Sequence, residues 1–483
     1  MTRTARRVAL GAALVIAVPA VLLAARFTRD VPVVYDGDED HFKYGSTGGE
    51  RDAGIPYAIW QALPELFPEY LPGGDLASLG LVFEPGRELP IGMSKRNVQG
   101  IDRVFFNCAV CHVGTYRERP GAARKIVTGM PANTVDLQAL ERFLFAAVVD
   151  EKFSAERILQ QVGRRDDLLN RLLYRFVAVN LMRERLLFLR HRFRFMDREP
   201  DCGPGRVDTF NPPKVLLNFR MDDLPPEEWV GLCDFPSIWN QGPREGMQLH
   251  WDGNNTSVEE RNRSAAFGTG ATPPTLDRPS LARTAAWLRD IARPPAFPFP
   301  IDAALAARGA ALYRSYCAEC HGQSGSDFSG RYVGKVTPLG EIGTDRHRLD
   351  SYTRELAANQ NLLYAGYPDE RFRHFRKTDG YANQPLDGLW LRGPYLHNGS
   401  VPTLRDLLEP SAARPKTFYR GYDVLDPARV GFVSNVAEEG GRKFFFFDTA
   451  LPGNGNFGHE GPAYGTELDP SDKDALVEYL KGF

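Results

Sequence analysis

Two five-residue stretches carry thiols and an imidazole at one fixed spacing, Cys108-Ala109-Val110-Cys111-His112 and Cys317-Ala318-Glu319-Cys320-His321. In C-x-x-C-H the two thiols can add to the vinyl groups of a haem, and the adjoining imidazole is then held against the iron. Each pentad fixes a cofactor, its attachment and one axial ligand. The sequence therefore predicts two covalently bound haem c groups, with His112 and His321 as iron ligands. A zinc knuckle or a thioredoxin-like dithiol also uses C-x-x-C, but the closing His of both pentads, behind an export leader, weighs against either.

The sixth ligand decides what such an iron can do, because a filled position passes electrons while an open one can bind dioxygen or peroxide. The methionines are Met1, Met93, Met130, Met182, Met196, Met221 and Met247, so none follows the second pentad. Candidates for the second site are His347, His374, His397 and His459, and a second His would lower the potential relative to His/Met ligation. His459 closes the glycine-rich stretch Gly453-Asn454-Gly455-Asn456-Phe457-Gly458-His459, where a backbone can fold over a haem face. His397 lies in the turn Pro394-Tyr395-Leu396-His397-Asn398-Gly399-Ser400. The residues alone leave both open.

These groups must be positioned by the elements around them. Residues 97–107 are expected to lead into the first pentad as a short helix, and a second helix to run from the Asn133-Thr134 cap to Val149. From Asp166 to Phe195, Leu168, Leu169, Leu172, Leu173, Phe176 and Val179 recur at helical spacing with arginines on the other faces, which predicts a core-facing stripe. Asp302 to Tyr316 predicts the amphipathic helix that delivers Cys317, and the Asp469-Pro470-Ser471 turn opens a closing helix to Phe483. Residues 31–93, rich in Gly, Pro and aromatics, predict an irregular wrapping extension, 200–243 is turn-rich, and the proline-rich stretch 293–300 predicts a semi-rigid joint. The expected fold is mainly α: two c-type cytochrome domains with long irregular loops and an N-terminal signal or anchor helix. Its divisions are a leader at 1–29, the extension at 30–96, a first haem domain with an insertion at 97–295 and a second at 296–483.

The chain has 483 residues, 43% hydrophobic and 25% charged, enough for two or three real cores. Lys plus Arg total 59 against 61 Asp plus Glu, so no basic field favours nucleic acid. The leader, basic from Arg3 to Arg7 and apolar from Val8 to Ala25, predicts export to the periplasm or beyond, with residues 8–25 as an uncleaved membrane tether. Cys202 and Cys233, outside the pentads, could pair in that compartment.

The segment from His250 to Glu260, His-Trp-Asp-Gly-Asn-Asn-Thr-Ser-Val-Glu-Glu, resembles the F-W-D-G-R-x-x-S-L-E-x-Q block of the bacterial dihaem cytochrome c peroxidase superfamily. Gly388 to Leu404 is similar to its G-x-x-x-x-x-P-Y-x-H-x-G-S-V-x-T-L block. Gly453 to Leu468 is similar to the G-N-x-N-x-G-H-x-Y-G-T-x-L ending of the dihaem rubber-oxygenase branch. The resemblance covers residues 100–483 apart from about 152–236. It implies that Trp251 lies between the haems and that His459 is the distal ligand of the C-terminal one.

Two departures stand out. The superfamily's peroxidases carry a catalytic Glu about twenty residues beyond the inter-haem Trp, and here Ala265-Ala266-Phe267-Gly268-Thr269-Gly270-Ala271-Thr272 holds no carboxylate, the proton donor that O–O heterolysis needs. His250 replaces a Phe, and as ligand, distal acid/base or packing group its role stays open. The resemblance implies a haem-dependent oxidoreductase that activates dioxygen or peroxide at the N-terminal haem, with His250, Trp251 and Phe267 in its catalytic region, an organic substrate and a redox partner protein. The alternative is a non-catalytic electron-transfer cytochrome with both irons six-coordinate.

Overall fold

The computed structural model describes residue 15, residues 17–162 and residues 168–483. Most of the apolar leader lies outside these residues, as does the beginning of the long helix expected from Asp166.

Gln99 and Gly100 take φ values of 55° and 79°, the consecutive left-handed pair on which a two-residue hairpin turn depends. The chain reverses there, and Met93–Val98 pairs antiparallel with Ile101–Phe106 in register from Met93↔Phe106 to Val98↔Ile101. The helix expected at 97–107 is thus a strand arm: Ile101, Val104, Phe105 and Phe106 favour the pleat, and the Gly100 turn dictates the return. Asp30–Pro32 adds to one edge of this hairpin and Ile55–Pro56 to the other, making a four-stranded sheet. The extension expected to be irregular supplies both edges, along with the helices Asp38–Tyr44 and Tyr57–Leu66.

Six two-stranded ribbons complete the strand content of the described residues. Helix accounts for 41% and strand for 13%, so the fold is mixed α/β rather than mainly α. Helical periods are legible over three or four turns, whereas these strands are two to six residues long and leave little alternation to read. The expected signal or anchor helix lies largely outside the described residues, among which no helix is long and apolar enough to cross a membrane. Only residue 15 and residues 17–25 of the apolar run are described, about half of the roughly 20 residues a span requires.

Other helices follow their caps. Asp136 accepts from the Ala139 amide to open Leu137–Val149, and Asp302 accepts from the amides of Ala304 and Leu305 to open Ala303–Tyr316. The long periodic segment is helical from Leu168 to Arg192, with a π-helical turn at Tyr174–Ala178. Its buried residues, Tyr174, Val179, Met182 and Leu186, step by five across that turn. They pack with Trp60, Phe67, Val104 and Phe143 in a core built largely by the extension. A second core takes Trp239 and Trp287 from before residues 293–300 and Tyr313, Trp390 and Leu476 from after them. The joint is pinned to it where the Trp390 indole donates to the Pro295 carbonyl (3.3 Å).

Ala303–Tyr316 crosses the closing helix Pro470–Leu480 at Gly309, where a Cβ would meet the Ala475 carbonyl oxygen at 1.9 Å. Gly309→Val is therefore expected to destabilise the fold by about 1–3 kcal/mol through overpacking, read as a lower urea midpoint.

Glu199 is buried, with Gln138 donating to one oxygen (3.1 Å) and no donor to the other among the described residues. Burial and the Asp208 carboxylate push it well above the usual carboxylate range. A group raised in the folded state contributes fully below its unfolded value of about 4.3 and loses that contribution as pH rises through the folded value. Glu199→Gln should accordingly lose less stability than the parent between pH 5 and pH 9, measured by urea unfolding; equal losses would show that Glu199 does not carry the dependence.

Candidate functional site

The first pentad is a single helical turn, Ala109–His112, set directly on the hairpin. Asn107 starts it by accepting from the Ala109 amide (3.0 Å) while donating to the carbonyls of Gly45 (2.9 Å) and Lys43 (3.3 Å). The extension thus clamps the turn. Cys108 packs against one core and Cys111 against the other. The second pentad turn, Ala318–His321, follows the helix Ala303–Tyr316, and the Tyr313 hydroxyl donates to the Gly322 carbonyl at its end (2.7 Å). Burial pushes the thiols up, Cys108 to about 11 and Cys317 to about 12.

Both pentad imidazoles are oriented in the same way. His112 Nδ1 donates to the Pro236 carbonyl (2.9 Å) and His321 Nδ1 to the Gln384 carbonyl (2.8 Å). A carbonyl can only accept, so Nδ1 carries the proton and Nε2 keeps its lone pair, the tautomer that ligates a metal. Burial lowers His112 to about 3 and also lowers His321, which keeps both rings neutral.

Pro236 and Gln384 line one cavity, together with Ile238, Leu249, His250, Trp251 and Arg261. The Trp251 indole donates to the Asp234 carbonyl (2.7 Å), and its own carbonyl accepts from the Ala382 amide (2.8 Å). Gln384 Nε2 donates to the carbonyls of Gln248 (3.2 Å) and His250 (3.3 Å). Residues 248–251 therefore tie the strand before Pro236 to the strand before Gln384, so the residues whose carbonyls orient His112 and His321 share a cavity wall with His250 and Trp251.

His250 takes φ 64°, and its Nδ1 donates to the Asn254 side-chain oxygen. Burial lowers it to about 4, so the ring is neutral with Nε2 unengaged. Arg261 lies near Cys108 with no carboxylate partner among the described residues, and burial lowers it to about 10. Among the described residues, no carboxylate lines the cavity. Phe267 is off this wall, packed on Tyr364 (4.6 Å) and Phe372 (5.7 Å), and reaches His250 only through Phe372 and Phe375. Ala271 is buried in a small apolar cluster beside Phe267.

Of the four late histidines, three are engaged. His397 stacks on Tyr381 at 4.0 Å with Nε2 3.0 Å from its hydroxyl, His374 pairs with Glu260 (2.9 Å), and His347 with Asp345 (2.8 Å). His459 has a buried Nδ1 with no hydrogen-bond partner among the described residues; its ring centre is 4.7 Å from that of Tyr464 and 6.3 Å from that of His321. Two imidazole–metal bonds of about 2 Å each, plus the half-width of both rings, span about 6 Å. The pair fits an iron between them. Burial lowers His459 to about 3, again leaving a neutral ring.

The loop carrying His459 is held from several sides. Asn398 Nδ2 donates to the carbonyls of Gly453 and Gly455 (both 3.0 Å), Ser400 to Gly455 (2.9 Å), and the Gly455 amide to Asp345 (3.2 Å). Arg414 donates to the carbonyls of Asn456 (2.6 Å) and Gly458 (2.9 Å).

Residues 380–419, which include Gln384, Asn398 and Ser400, match a family described as RoxA-like, cytochrome c-like. The uncharacterised protein y4iM of Sinorhizobium fredii is 32% identical over 327 residues, covering 59% of this chain and 71% of its own length. The chain belongs to the y4iM family. A second uncharacterised protein of the same organism, y4iJ, is 27% identical over 471 residues, covering 78% of this chain and 76% of itself. Over residues 380–419 the chain is thus similar to RoxA-like cytochromes, a likeness that supports haem c as its cofactor.

Sequence reasoning missed Pro236 and Gln384, which act through backbone carbonyls and leave no side-chain signal, and Asn254, Arg261 and Asn398. Arg261, one residue past the quoted Trp251 block, could have been noticed there as a cation. Cys202 and Cys233 are buried free thiols, with Cys233 sulfur 3.1 Å from an Arg348 nitrogen.

Asn398→Ala removes both of its bonds to the His459 loop. The expected result is faster amide exchange at Gly455 and its neighbours and a global loss of about 1–3 kcal/mol; unchanged exchange would show that Arg414 and Ser400 hold the loop alone.

Proposed function

We propose that this cytochrome is a two-haem oxidoreductase of the periplasm or extracellular space. Cys108, Cys111 and His112 hold one haem c, Cys317, Cys320, His321 and His459 hold the other, and Trp251 carries electrons between the two sites. Dioxygen or peroxide is the oxidant, with an organic substrate and a redox protein as further partners. The reading is supported chiefly by one observation: the carbonyls that orient His112 and His321 belong to residues on the wall of one cavity, which Trp251 and His250 also line. Membership of the dihaem cytochrome c peroxidase superfamily, near its rubber-oxygenase branch, is part of this proposal and rests on the motifs around Trp251 and His459.

Bound haem c supplies a one-electron couple and, where an axial position is open, a place for the oxidant. The chain's own residues do the rest. Nδ1 bonds keep His112 and His321 neutral and fixed, and the Asp234 carbonyl fixes the Trp251 indole. Ile238 and Leu249 give the wall an apolar part where a weakly polar oxidant can rest, beside Arg244, Arg261 and Arg392. With no carboxylate on the wall, protons can come only from weak donors such as His250 or Arg261, so peroxide turnover is expected to be slow.

An electron-carrier function is favoured by one feature, the unengaged Nε2 of neutral His250 on the cavity wall, which could fill the first site's open position. Electron paramagnetic resonance separates the two: a high-spin signal beside a low-spin bis-His one supports the oxidoreductase, and two low-spin signals that become one in His250→Ala support the carrier.

Cys108→Ala and Cys317→Ala should each leave about half the covalently retained haem of the parent after denaturation. His459→Ala should convert a low-spin signal to high-spin. Survival of that signal in His459→Ala, with its loss in His397→Ala, would reassign the ligand.

A further inference from the structure

The helix Leu168–Arg192 buries one face and leaves the opposite one bare. Leu168, Leu172, Phe176, Leu181 and Phe188 are 44–74% exposed, spaced by four residues up to Phe176, by five across the π turn and by seven to Phe188. Exposure of this kind forgoes roughly 1.5–3 kcal/mol of possible burial for each large apolar side chain, and contiguous apolar surface on a folded protein marks a contact site. Apolar surface continues onto Val18, Val21, Leu22, Leu23 and Phe27, in a segment whose Arg26 hydrogen-bonds to Asn170 of this helix.

Charge says what kind of partner fits. Residues 168–194 contain seven arginines and one acidic residue, Glu184. Arg175, Arg183, Arg190 and Arg194 are exposed, and none of the seven forms an ion pair with a carboxylate among the described residues. A second copy docking about a two-fold axis would set these arginines against each other. An apolar stripe flanked by arginine is instead the pattern of a helix lying at a lipid interface.

We propose that this helix docks on an anionic phospholipid surface, with Leu172, Phe176, Leu181 and Phe188 entering the headgroup boundary and the exposed arginines meeting lipid phosphates. The docking is independent of the haem chemistry.

The test is sedimentation of the full-length haem-loaded protein with phosphatidylcholine vesicles, with and without phosphatidylglycerol. Binding should need phosphatidylglycerol and weaken with salt. Arg183→Gln and Arg190→Gln should each weaken it about fivefold, and the double variant Phe176→Ser, Phe188→Ser should lose most of it. The haem absorption spectrum serves as the check that each variant is folded. In addition, Phe176→Trp should shift its emission to the blue on anionic vesicles only. Since the leader is intact in every variant, loss of binding maps to the helix. Equal binding to both vesicle types, parental binding by the variants, or a parental dimer that the double serine variant makes monomeric would overturn the proposal.

Discussion

The arrangement of this protein hangs on two hydrogen bonds, from His112 Nδ1 to the Pro236 carbonyl and from His321 Nδ1 to the Gln384 carbonyl. Each contributes only about 1 kcal/mol to stability, yet each selects the tautomer and turns the ring. Backbone carbonyls make stiff partners because the strands behind them cannot rotate as a side chain can. Residues 232–234 and 380–382 are such strands, and Trp251 bridges them by hydrogen bonds from its indole and to its carbonyl.

Buried charge reinforces the same frame. Asp387 accepts from Arg244 and Arg392 (both 2.5 Å), joining the cavity wall near Gln241 to the segment after Gln384. Asp252, next to Trp251, accepts from Arg348 (2.9 Å), itself buried. The two arginines around Asp387 hold its carboxyl below the usual carboxylate range despite its burial. Losing one partner of such a pair leaves the other charge desolvated, and that is more costly than the pair is favourable. The geometry around Trp251 is therefore guarded by the penalty for breaking it.

Much of this was legible in the sequence where a side chain carries the information. The helices ending at Val149 and Tyr316 were readable from spacing and caps, while the pentads, Trp251 and His459 could be singled out by motif but not placed relative to one another. The hairpin at 93–106 was not, because an expected helix from Asn97 begins mid-strand and cuts the pattern in two, leaving the Gln99-Gly100 turn without its first arm. The extension was misjudged for a related reason: its helices run only four to ten residues, and their stability comes from packing on Val104 and Phe143 rather than from a period of their own. The wall shared by the partners of His112 and His321 lay furthest from view, since it is built from the carbonyls of two residues 148 positions apart.

The π turn at Tyr174–Ala178 makes the long helix two phases joined by one surplus residue. Each residue of an α-helix advances the face by about 100°, so the surplus resets which way everything after it points. Tyr174 and Val179 can then both face the core although five residues separate them, and the apolar residues on the outer face stay aligned as well. A relative lacking that one residue could keep either its inner packing or its outer face in phase across the joint, but not with the same sequence on both sides. The turn thus works as a register mark, and its presence or absence in a related chain would tell which of the two faces that chain has retained.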